Sequence, residues 1–121
     1  MMSRVEIQDR LAGPNVAVLT LGGRLTVNDE PGQLKAAVAR VLSQGARHVV
    51  LDLSGVQYID STRLGELIAS HVAVSRHGGV LTFARTPIRV SDLLAMAGLG
   101  DLFERFDSVD AAVRSAEQKV P

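Results

Sequence analysis

Between Val49 and Ile68 the chain changes its hydrophobic period within a few residues, which commits it to a strand that leads almost directly into a helix. Val49-Val50-Leu51 and Leu53 form a nearly unbroken apolar run, the pattern of a strand covered on both faces. Ser54-Gly55 supply a tight turn. Leu64, Leu67, Ile68, His71 and Val72 then follow helical spacing, so Asp60-Ser61-Thr62 stands at a helix start. A hydroxyl there lies among unpaired backbone N–H groups at the positive end of the helix dipole, a place that accepts a phosphate well.

The rest of the chain alternates strand and helix patterns. Val5-Glu6-Ile7-Gln8, the turn residues Ala12-Gly13-Pro14-Asn15 and the run Val16 to Leu21 predict an opening hairpin. Asn28-Asp29-Glu30-Pro31 carries the start signals of a first helix, with Leu34, Ala37, Val38, Val41 and Leu42 as its apolar stripe. His48 to Leu53 is the next strand, and the helix opened by Ser61 ends at His77-Gly78-Gly79, where glycine takes the left-handed conformation. Val80 to Phe83 is a further strand. Val90, Leu93, Leu94 and Ala97 mark a helix stopped by Gly98, Leu102 to Phe106 a short edge strand, and Val109, Ala112, Val113 and Ala116 a last helix. With no linker, repeat or low-complexity stretch, residues 1–121 are expected to form a single α/β domain. Its mixed, mainly parallel sheet has four to five strands and an N-terminal hairpin, covered by about four helices.

Composition narrows the chemistry. Hydrophobic residues make up 46% and aromatics 3%, so the core must be aliphatic. Thirteen basic and thirteen acidic residues balance, which argues against nucleic acid or an anionic membrane surface as partner. The absence of cysteine excludes disulfides, thiol catalysis and thiolate metal sites. Met1-Met2-Ser3-Arg4-Val5-Glu6 lacks a signal-peptide core and no apolar stretch spans a bilayer, so the cytoplasm is the expected compartment. Gly22-Gly23-Arg24-Leu25 has neither the spacing nor the lysine of a phosphate-binding loop, and no Gly-x-Ser-x-Gly or His-x-x-x-His occurs. His71 is ten residues from Ser61 on one helix, about 15 Å away and too far to act as its base. His48 should lie at the opposite edge of the sheet from Ser61. His77 precedes two glycines without a nucleophile elbow. No enzyme, cofactor or metal is expected.

Asp52-Leu53-Ser54 followed by Asp60-Ser61-Thr62-Arg63-Leu64-Gly65 resembles the signature of STAS domains of bacterial anti-sigma factor antagonists. The likeness extends through Gly23-Arg24-Leu25, Arg89 to Leu94, and Leu99-Gly100-Asp101-Leu102-Phe103, covering nearly the whole chain. It implies a STAS fold and a protein-binding module switched by phosphorylation of Ser61, with Thr62 as the lesser acceptor. Unmodified, such a module binds an anti-sigma factor with serine-kinase activity, and a serine phosphatase resets it. A different class, an accessory STAS subunit of a lipid or anion transport complex without a phosphorylation cycle, shares the motif. The chain departs from the family in carrying Arg63 where glycine is usual, and Thr26 where an acidic residue is frequent.

Each residue of the signature also has a plainer role. Ser61 is also suited to be the helix N-cap, worth about 1 kcal/mol over alanine. Asp60 either orients the serine toward a partner or holds the turn and favours the dipole. Asp52 is expected to support the loop by accepting backbone N–H bonds. Arg63 and Glu66 either rim a protein contact or form a solvated helix face. Gly65 costs roughly 1 kcal/mol inside a helix, a cost expected to be offset by close packing against the strand or loop behind it or by close approach of a partner backbone.

Overall fold

A computed structural model of the chain describes residues 6–25 and 32–119. The elements are β1 (Glu6–Leu11), β2 (Val16–Leu25), α1 (Gln33–Ser43), β3 (His48–Ile59), α2 (Ser61–Arg76), β4 (Leu81–Ala84), α3 (Ile88–Met96), β5 (Glu104–Phe106) and α4 (Val109–Gln118). The five strands lie in sheet order β1-β2-β3-β4-β5. β1 and β2 form the antiparallel hairpin, and every later pairing is parallel. Val5, the Asn28 to Pro31 helix start and Thr26 lie outside the described residues.

Alternation along the strands divides the core. Ala17, Leu19 and Leu21 of β2, Val49, Leu51 and Leu53 of β3, and Leu81 and Phe83 of β4 pack with α1, α2 and α3 on one face. Val16, Val18, Val50 and Ala84 meet Ala112 and Ala116 of α4 on the other. The five apolar residues expected to bury α1 do so. The stripe of α2 departs from expectation: Val72 is 40% exposed, while Arg63, Ser70 and Val74 take buried positions.

The turn expected at Ser54-Gly55 is absent, because β3 continues through it to Ile59. Glycines make this possible. Beyond the Thr20–Asp52 pair, Gly22 of β2 faces Gly55 of β3, so β3 uses one residue more than its partner at that step. A Cβ on Gly55 would stand 3.1 Å from the Leu21 carbonyl oxygen and 3.2 Å from the Gly22 Cα. The backbones therefore approach through the bulge, and β3 carries the chain well past the end of β4 before α2 begins.

His48 starts β3, at the strand end away from Ser61. It is buried, and its Nδ1 accepts the Val80 N–H at 3.1 Å. Burial first, and then the charges of Arg47 and Lys119, pushes its pKa below 6.5. The unfolded chain therefore takes up this proton more readily than the folded one, so stability should fall as pH drops below 6.5 towards the folded value. Melting temperature measured from about pH 7.5 to about 5.5 should decline, and His48→Asn, which keeps an acceptor but does not titrate, should flatten the decline. Equal slopes for both proteins would contradict the assignment.

Candidate functional site

The projecting end of β3 delivers Asp60 to the head of α2 in extended conformation, with φ −100° and ψ 176°. Asp60, not Ser61, is the N-cap: its Oδ1 accepts the Arg63 N–H at 2.9 Å, and its carbonyl accepts the Leu64 N–H at 2.9 Å. An acceptor one residue before the serine takes the capping bond, leaving Ser61 as the first helical residue, exposed together with Thr62. Leu64 and Leu67 anchor this turn in the main core. The result is a pair of solvent-facing hydroxyls on the first turn of a helix of 16 residues.

Arg63 does not form a solvated helix face, one of the two roles expected of it. It is 6% exposed, and its guanidinium is ion-paired with Glu66 one turn on. The other Glu66 oxygen accepts the N–H of Gly32, the residue that precedes α1, at 3.2 Å. One carboxylate thus joins the first turn of α2 to the start of α1. Arg63 and Glu66 brace the turn from within.

Gly65 also differs from expectation. It is exposed, and a Cβ built there meets no atom within 4 Å, so close packing against the strand is excluded as its reason. Gly65→Ala is accordingly expected to stabilise the fold by about 1 kcal/mol, measured by urea denaturation. A loss of stability would contradict the open surface seen here.

A second polar group lies on the α4 face. Asp52 is buried, and its Oδ1 accepts the Ser54 N–H at 3.1 Å, as expected. It also binds Arg85 through two contacts, Nε to Oδ1 at 3.2 Å and a terminal nitrogen to Oδ2 at 2.6 Å. Burial alone would raise this carboxyl, but the bonds from Arg85 and Ser54 outweigh it and hold it below its ordinary 3.8. Sequence reasoning missed Arg85, which follows β4 with φ 53°, a left-handed conformation unusual outside glycine. Its backbone N–H is fixed on the Phe106 carbonyl at 2.9 Å. Pairing with Asp52 ties the β4–α3 connection to the middle of β3.

The histidines take separate positions. The half-buried His71 packs edge-on against Phe103 at 5.5 Å between ring centroids, with its Nδ1 unpaired instead of hydrogen-bonded as a core histidine would be. His77 caps the C-terminus of α2, with Nδ1 3.1 Å from the Ala73 carbonyl oxygen. Among the described residues, no group of three or more His, Asp or Glu side chains is placed to hold a metal ion. No described helix is long and apolar enough to cross a membrane.

The chain belongs to the STAS domain family, whose sequence profile matches residues 7–112. Three solved structures illustrate the likeness. An anti-sigma factor antagonist from Mycobacterium paratuberculosis superposes with a TM-score of 0.76 at 17% identity, covering 97% of this chain and 99% of that one. The Bacillus cell fate determinant SpoIIAA in its phosphorylated form gives a TM-score of 0.72 at 14% identity, over 91% of this chain and 98% of that one. The murine Slc26a9 anion transporter gives 0.70 at 14% identity, over 96% of this chain but 22% of the transporter. No curated protein sequence matches. At these identities the likeness concerns the fold, which is the STAS fold with its five-stranded mixed sheet.

Proposed function

We propose that this STAS domain is an anti-sigma factor antagonist, a protein-binding module that holds an anti-sigma factor with serine-kinase activity while Ser61 is unmodified. The observation that carries the reading is the exposed Ser61 hydroxyl on the first turn of α2, with its neighbour Asp60 already committed to capping. The outward surface of this turn is small and uncharged, made by Ser61, Thr62 and Gly65, while Arg63 and Glu66 are turned to each other. A partner can approach the backbone over Gly65, where nothing stands within 4 Å.

Transfer of the ATP γ-phosphoryl group to the Ser61 oxygen, with loss of the hydroxyl proton and release of ADP, adds about −1.5 to −2 charges at pH 7 beside the Asp60 carboxylate. An interface fitted to a neutral hydroxyl then has to desolvate a dianion, and binding is lost. Because the Arg63 guanidinium is engaged with Glu66, it supports the turn and does not clamp the phosphate. A phosphatase restores the first state. The module itself performs no turnover and works in the cytoplasm of a bacterial cell.

The likeness to an anion transporter's STAS region supports a second reading, an accessory subunit of a lipid or anion transport complex with no phosphorylation cycle. Pull-down from the native cell with wild type and with Ser61→Asp separates the two. The switch predicts that a serine kinase is captured by wild type and lost with Ser61→Asp, whereas a transport subunit captures its complex with both.

A further inference from the structure

α1 and α2 both connect parallel strands, so they run side by side in the same direction on the main face of the sheet. The residues facing each other between them are small. Ala39 and Ser43 of α1 oppose Ala69, Ser70 and Ala73 of α2, and a cavity of 320 Å³ opens where larger side chains would close one helix on the other. Val38 and Leu42 contribute further apolar wall.

Two polar features stand at one end of it. Ser70 lines the cavity, is 3% exposed, and has a hydroxyl without a hydrogen-bond partner. A buried hydroxyl is ordinarily paired, so this one is an unfilled donor and acceptor. Lys35 lies in the first turn of α1 and has no ion pair among the described residues. Its ammonium adds to the positive end of the α1 dipole. Since the helices are parallel, Lys35 and Ser70 belong to the same end of the lining, and Ser43 and His77 to the other.

We propose that this cavity binds a small amphipathic monocarboxylate, with the carboxylate between Lys35 and Ser70 and the hydrocarbon running along Ala39, Ala73 and Leu42. The charge of Lys35 and the helix dipole select an anion, and the apolar walls select its tail. The volume, near the lower end of the roughly 300–1,000 Å³ found for ligand pockets, limits the tail to a medium-length chain. The site lies on the middle and C-terminal parts of α2, apart from the Ser61 turn, so its occupancy is independent of whether Ser61 is ever modified.

The test is titration of the full chain with octanoate and with octanol, followed by calorimetry and amide chemical shifts. Octanoate should bind saturably, with shifts concentrated on residues 35–43 and 69–77. Lys35→Gln should weaken octanoate roughly threefold and leave octanol unchanged. Ala73→Leu, and separately Ala39→Leu, should fill the cavity and reduce binding of both by roughly tenfold or more. Shifts that do not saturate below the micellar concentration, or that map elsewhere, overturn the proposal without reference to any variant. So does octanoate binding that both leucine variants leave unchanged, and an equal effect of Lys35→Gln on octanoate and octanol overturns the placement of the carboxylate.

Discussion

Replacing Glu66 with alanine should cost the fold about 3 kcal/mol, as measured by urea denaturation. Arg63 is 6% exposed and its guanidinium is paired with Glu66, whose second oxygen holds the Gly32 N–H. Truncation removes the carboxylate that faces this buried cation and frees the start of α1 from the start of α2. Breaking a buried pair by removing one partner costs about 3–5 kcal/mol; the 18% exposure of the Glu66 side chain places this case at the low end. The double variant Glu66→Ala/Arg63→Ala should recover part of the loss, because it removes the buried charge as well. That less-than-additive result separates a buried pair from an exposed one, for which Glu66→Ala would cost less than about 1 kcal/mol.

Gly79→Ala should be at least as damaging, with a loss of about 3 kcal/mol or more. A Cβ at Gly79 would lie 1.7 Å from the carbonyl oxygen of Arg47 and 2.5 Å from its carbonyl carbon, an overlap that only backbone movement relieves. Neither side is free to move. The Gly79 N–H closes the end of α2 on the Val74 carbonyl at 3.1 Å, while the Arg47 N–H is held by the Asn15 carbonyl at 2.8 Å. Shifting them pulls apart the beginnings of β3 and β4, where Val49 N–H meets the Val80 carbonyl at 3.1 Å. Its neighbour is the control. Gly78 has φ 78° with nothing within 4 Å of a Cβ, so Gly78→Ala meets only the left-handed strain of about 1–2 kcal/mol. Thermal unfolding that ranks the two variants equally would contradict the close approach at Gly79.

These two sites also show where sequence reasoning reaches its limit. Helix stripes such as Leu34, Ala37, Val38, Val41 and Leu42 are legible because one periodicity determines burial for all five. The Gly78-Gly79 stop is legible as a stop, since a left-handed residue ends α2. Which glycine is crowded depends on Arg47, brought there by folding. The helix start at Ser61 is likewise plain from the change of period, but Asp60 and Ser61 are both good capping residues and only the chain direction out of β3 decides between them.

The burial of Arg63 is not legible from its own position, since a rim of a protein contact and a solvated helix face both suit a charged residue there. The sequence did carry a signal in Glu66, three residues on, which lies over Arg63 in a helix. The continuation of β3 through Ser54-Gly55 was hidden for another reason. These are turn formers, and they serve a strand only because Gly22 of β2 lies opposite Gly55. Arg85 left no local trace either, as its left-handed backbone and its pairing with Asp52 arise from the meeting of β3, β4 and β5.

The most direct test of the proposed switch is calorimetric titration of the captured anti-sigma kinase against this domain, unmodified and phosphorylated at Ser61. The unmodified domain should bind saturably, with at least a roughly tenfold loss of affinity, about 1.4 kcal/mol, when Ser61 carries phosphate. Equal affinity in the two states would contradict the switch.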